Sequence, residues 1–176
     1  MNAQKFTQKT VEALQSAQNN AQERGNQYVT PEHLLYSLVS AREGLIPSLL
    51  TKMGTDCNAV LSELDAELAK LPKVSGNYEV YLSNEANRVM QAGDKARESM
   101  GDEYLSVEHI MIGIFAAATP EIKKILSEHK ITKSAFAAEL AKVIKLFIDG
   151  DHYGIYHAVC SGGYCTREEF AKKILE

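Results

Sequence analysis

The chain has 176 residues, 45% of them apolar, and 23 acidic against 19 basic side chains give a net charge of −4. That length holds one or two domains with a real core, and the acidic balance excludes the basic face that nucleic-acid binding requires. The opening MNAQKFTQK lacks the apolar stretch of a secretory signal, the longest apolar run (110–118) is far short of a membrane span, and Cys57, Cys160 and Cys165 make no disulfide framework, so the expected location is the cytoplasm.

In chain order, Thr7 is the expected cap of a first helix with Val11, Leu14, Ala17 and Ala21 on its apolar stripe, stopped at Gly25. Thr30-Pro31-Glu32 opens a second helix with a hydroxyl cap, a proline in the first turn and an acid at the positive end; Leu34, Leu35, Leu38 and Val39 form its face. A short third helix carries Ile46, Leu49, Leu50 and Met53 and ends near Gly54. A fourth follows Thr55-Asp56 and carries Val60, Leu61, Leu64, Leu68 and Leu71. Residues 72–79 read as a connecting loop.

The plan then repeats. Residues 7–71 overlay on 83–147 at a constant offset of 76, pairing Gln15 with Gln91, Gly25 with Gly101, Tyr28 with Tyr104, Glu32 with Glu108 and His33 with His109. Ser83, Ser106, Thr119 and Thr132 start the four helices of the second copy. One copy alone buries too little to be comfortably stable, so two copies are expected to share a core across a pseudo-two-fold axis. The expected fold is all-α, two pseudo-symmetric four-helix repeats followed by a short hairpin/helix extension. Residues 1–146 form the domain (repeat one 7–71, linker 72–82, repeat two 83–146), and 147–176 form the extension.

FTQKTVEALQSAQNNA followed by GNQYVTPEHLLYSLV resembles the amino-terminal Clp repeat domain of Clp ATPases, and GDEYLSVEHIMIGIF is similar to the second half of that domain. The resemblance covers 1–146 and is nearest to the ClpB-like disaggregase branch, while the paired Glu-His motifs also resemble the ClpC-like branch. It implies a non-catalytic domain that binds substrate or adaptor ahead of the ATPase rings of a disaggregase or unfoldase. The implied partners are unfolded or aggregated polypeptides, adaptor proteins and Clp ATPase rings, with no nucleic acid and no membrane, and the isolated domain is expected to be a monomer. No cofactor is expected in this chain. ATP would belong to an ATPase module, and no G-x-x-x-x-G-K-[ST] loop occurs here. The chain is therefore a fragment of a larger protein or stands alone. In the alternative reading it is a stand-alone accessory or regulator of a Clp ATPase or protease, acting through its C-terminal tail.

Beside an enzymatic reading as acid/base groups, two readings stand for the Glu-His pairs. In one, Glu32 and Glu108 neutralise positive helix ends while His33 and His109 pack against the preceding turn. In the other, which resemblance to the ClpC-like branch implies, the glutamates hold the guanidinium of arginine or phosphoarginine on substrates. Resemblance to the ClpB-like branch implies an apolar groove between the repeats, with Thr7, Asp102 and Glu108 beside it and Met90 as an apolar contact. The competing structural roles are a cap for Thr7, a turn for Asp102 and core for Met90. His109 stands where the ClpB-like pattern has an apolar residue, which makes the groove more polar.

The tail has no counterpart in copy one. Residues 147–156 mix β-formers with an Asp-Gly turn signal, and Thr166-Arg167-Glu168-Glu169 fits a capping box before a short helix. His152, His157, Cys160 and Cys165 are a weak candidate zinc set, looser in spacing than structural zinc motifs and set against a reading as solvated turns.

Overall fold

A computed structural model describes residues 5–149. In these residues eight helices follow the two-copy order. Copy one contains α1 (Gln8–Arg24), α2 (Pro31–Ser40), α3 (Leu45–Lys52) and α4 (Cys57–Leu68). Copy two contains α5 (Asn84–Met100), α6 (Val107–Ala117), α7 (Pro120–Glu128) and α8 (Lys133–Asp149). None of the described helices is long and apolar enough to cross a membrane.

Equivalent chemistry starts and stops equivalent helices. Thr7 and Ser83 each turn a side-chain oxygen to a backbone N–H three residues on, that of Thr10 or Ala86. Gly25 and Gly101 then end α1 and α5 in the left-handed region, at φ 79° and 77°, where a side chain would be strained. Asp56 caps α4 and Thr119 caps α7.

The apolar stripe of α1 differs from the expected one. Val11 is 42% exposed, and the buried residues are Thr10, Ala13, Ala17 and Ala21. Small side chains face inward because α2 packs closely there, which turns the larger Val11 and Leu14 toward the surface. Copy two goes further. A Cβ on Gly113 would lie 2.3 Å from the Val89 carbonyl oxygen, and one on Gly93 would lie 2.8 Å from that of His109. Backbone-to-backbone contact of α5 with α6 therefore depends on both glycines.

Two short parallel pairings were not anticipated. Strand β1 (Tyr28–Val29) pairs with β2 (Tyr81–Leu82), joining Val29 to Leu82. A single bridge joins Phe6 to Leu105. At the offset of 76, Phe6 corresponds to Leu82 and Val29 to Leu105, so the two pairings are one arrangement used reciprocally. The residues leading into each copy pair with the segment that follows the first helix of the other. These strands are too short to show alternation, and their partners lie in the other copy, so local pattern carries no sign of them.

The connector is anchored. Val74 N–H donates to the Gly25 carbonyl at 2.8 Å, and Asn26 Nδ2 donates to the Pro72 carbonyl at 3.0 Å. The core is one cluster drawn from both copies, including Leu34, Leu50 and Leu64 from the first and Met90, Ile110 and Phe136 from the second. At the far end, Phe147, Ile148 and Asp149, expected to open a hairpin, are the last residues of α8. The spacing of Phe136, Leu140, Val143 and Phe147 carries the helical period that far, and Asp149-Gly150 is the first break in it. The rest of the proposed hairpin, the helix after Thr166 and the set His152, His157, Cys160 and Cys165 lie outside the described residues.

Candidate functional site

Each Glu-His motif opens the second helix of its copy, and its histidine is built into that helix start. His33 Nδ1 accepts the Thr30 N–H at 3.1 Å, and its Nε2–H donates to Asn26 Oδ1 at 3.2 Å. His109 repeats this, with Nδ1 on the Ser106 N–H at 3.1 Å and Nε2 2.9 Å from Asp102 Oδ2. Both histidines thus fill the third-position role in a capping box, usually taken by glutamate or glutamine. His33 is fully buried, and burial, with a smaller contribution from the Arg24 charge, pushes its pKa down to about 4. Neither imidazole is free for acid–base chemistry on a ligand.

The glutamates differ. Glu32 is 7% exposed, and the Thr119 hydroxyl at the start of α7 donates to its Oε1 at 2.7 Å. Glu32 therefore ties one copy to the other. The same operation on the other side would set Glu108 opposite Glu43, the counterpart of Thr119. Two carboxylates cannot share a hydrogen bond without a proton, and no such tie forms. Glu108 is half-buried and has no side-chain hydrogen bond or ion pair among the described residues. The residue before it, Val107, reaches a cleft of about 330 Å³ that is otherwise lined by copy one, with Lys9, Glu12, Leu38, Arg42 and Glu43 among its residues. Glu43 lies in the left-handed region, φ 54°, where a non-glycine residue is uncommon.

The other expected site residues divide. Thr7 caps α1, and its N–H donates to the Leu105 carbonyl at 3.0 Å, which brings it against the loop leading to Glu108. Asp102 is in that loop, its carboxylate on His109 and its carbonyl accepting Arg97 Nη1 at 2.8 Å. Met90 is 1% exposed and belongs to the core, so nothing bound at the surface touches it while α5 and α6 stay packed. Arg97 and Thr119 were not singled out. Arg97 had a visible signal, since it is a charged residue at the position where copy one has Ala21 in its buried stripe. Thr119 had none beyond its cap, because its bond to Glu32 joins residues 87 apart.

Residues 5–129 match the model of the Clp repeat (R) N-terminal domain. The chaperone protein ClpB of Bacteroides thetaiotaomicron is 35% identical over 133 residues, a stretch that is 76% of this chain and 15% of the relative. The ClpB of Nitratidesulfovibrio vulgaris is 44% identical over 115 residues, 62% of this chain and 13% of the relative. The chain thus spans about one-sixth or less of the length of these relatives. The crystal structure of the Hsp104 N-terminal domain from Candida albicans has the same fold, with TM-score 0.68 and 18% identity over 78% of this chain and 90% of that one.

Proposed function

The chain belongs to the Clp repeat N-terminal domain family, and on that basis we propose that it is a non-catalytic receptor that captures unfolded polypeptide or adaptor segments for a ClpB/ClpC-type ATPase ring. The capture site is the seam between the repeats, with Glu108 as its free carboxylate and the neighbouring cleft accepting apolar side chains. Thr7 and Asp102 hold the loop that presents Glu108.

One observation carries this reading: of two equivalent glutamates, one is spent on the fold, and the other has no side-chain partner among the described residues and directly follows Val107, which lines a cleft. A half-buried carboxylate at a helix N-terminus suits a guanidinium or ammonium group, since a charge-assisted hydrogen bond replaces water. Fluorescence anisotropy with a labelled, arginine-containing unfolded peptide tests it. Glu108→Gln is expected to weaken binding about tenfold and leave the unfolding temperature unchanged. Equal affinity of variant and parent overturns the assignment.

A further inference from the structure

Copy two surrounds the loop that presents Glu108 with charges that copy one lacks. At the offset of 76, Asp94, Arg97, Glu98 and Asp102 stand where copy one has Gln18, Ala21, Gln22 and Asn26. Neutral side chains satisfy the same helix end and the same turn in copy one, so the fold by itself does not call for the charged set.

Arg97 is the centre of this set, and it is 7% exposed. Its Nε donates to Asp94 Oδ1 at 2.7 Å, and its Nη2 donates to Glu98 Oε1 at 3.3 Å. Its Nη1 donates to the Asp102 carbonyl at 2.8 Å, while the Asp102 N–H donates to the Arg97 carbonyl at 3.0 Å. One residue thus grips both main-chain groups of Asp102. The Asp102 carboxylate lies 2.9 Å from His109 Nε2, and His109 closes the capping box at the start of α6, one residue after Glu108. A buried guanidinium is destabilising unless its donors are met, and its planar fork reaches separate acceptors in a way that a lysine ammonium does not. Glu98 is mostly exposed and adds little; Asp94 and the Asp102 carbonyl hold the fork in place.

Copy one holds its equivalent loop by other means. Gly25 and Asn26 are bonded to Val74 and Pro72 of the connector. The position that matches Pro72 is Ile148, which lies within α8. Copy two has no such strap among the described residues, and the Arg97 guanidinium takes its place. The two loops also carry different burdens. Glu32 is fixed by Thr119 from the other copy, whereas Glu108 takes its direction from its own loop and helix start alone.

We infer that Arg97 is the positioning residue for Glu108, a role that rests on Glu108 being the capture group. Through Asp102 and His109 it fixes the start of α6 before a partner arrives. The Glu108 carboxylate then meets a cationic group already aligned, with no loop to order on binding, and that saving appears as affinity. Arg97 touches no ligand itself.

The test is a double-mutant cycle on the full 176-residue chain, read by anisotropy with the labelled arginine-containing peptide and by equilibrium unfolding. Arg97→Met keeps an unbranched apolar stem and removes the donors. It is expected to weaken binding about tenfold in the parent and to add no further loss once Glu108 is Gln. NMR relaxation is expected to show new motion at 102–108. If Arg97 were only a fold element, Arg97→Met would lower the denaturant midpoint while the folded chain bound as the parent does; that result overturns the role, and so does an equal loss of binding in both backgrounds. Should Arg97→Met fail to fold, Asp94→Gln, the copy-one residue at that place, removes the acceptor of Nε and is expected to weaken binding severalfold; normal binding by that variant overturns the role as well. If Glu108→Gln binds as the parent does, the seam reading falls and this role with it. If Glu108→Gln weakens binding and the network variants do not, the seam reading stands and only the role of Arg97 falls.

Discussion

His33 shows how one side chain carries both the local structure and its pH sensitivity. Protonating His33 would turn its Nδ1 acceptor into a donor facing the Thr30 N–H, inside a fully buried site. Its pKa is about 4 in the folded chain against an ordinary 6.5, so between those values the unfolded chain binds a proton that the folded chain does not. Stability is therefore complete above about pH 6.5, falls as the pH drops toward 4, and levels below that, with a loss of about 3 kcal/mol. Denaturant midpoints measured across this window check it. His33→Gln keeps an acceptor suited to the capping box and is expected to flatten the His33 part of the slope. A slope equal to the parent's would place the sensitivity elsewhere.

Among the elements, the α5–α6 pair is the most tightly constrained. Gly113 meets the Val89 carbonyl and Gly93 across the crossing, and backbone atoms cannot rotate away as a side chain can. Gly113→Ala is expected to cost about 1–3 kcal/mol or more by overpacking, read as a lower midpoint in urea. Ser37, its counterpart in copy one, shows that the α1–α2 pair stands slightly farther apart. Helix limits were legible because caps are local: Thr7, Ser83, Thr119 and the two left-handed glycines each act within a few residues. The face of α1 was not legible. Hydrophobicity favours Val11 for the core, but the space available admits alanine. Of the candidate site, the equivalence of Glu32 and Glu108 was visible at the offset of 76. Their divergence was not, since it depends on whether threonine or glutamate arrives from the third helix of the other copy.

At the scale of the molecule, the copies are held by one shared core, by the reciprocal strand pairings and by the Thr119–Glu32 bond. Thr119→Val removes the donor and leaves a nearly buried carboxylate short of a partner. It is expected to cost about 1–3 kcal/mol, measured by equilibrium unfolding, part of it from the lost α7 cap. Thr119→Ser keeps both roles and is expected to stay close to the parent; an equal loss in both variants would deny the bond its part. The strand pairings bear on origin as well as stability. Because Phe6 pairs with Leu105 and Val29 with Leu82 by the same rule, two separate chains of a single half could make every such bond across a closed two-fold interface. The fold is in that sense a symmetric homodimer whose subunits were spliced end to end. Splicing freed each half to mutate alone, which is how one glutamate could become a fastener while its twin stayed open.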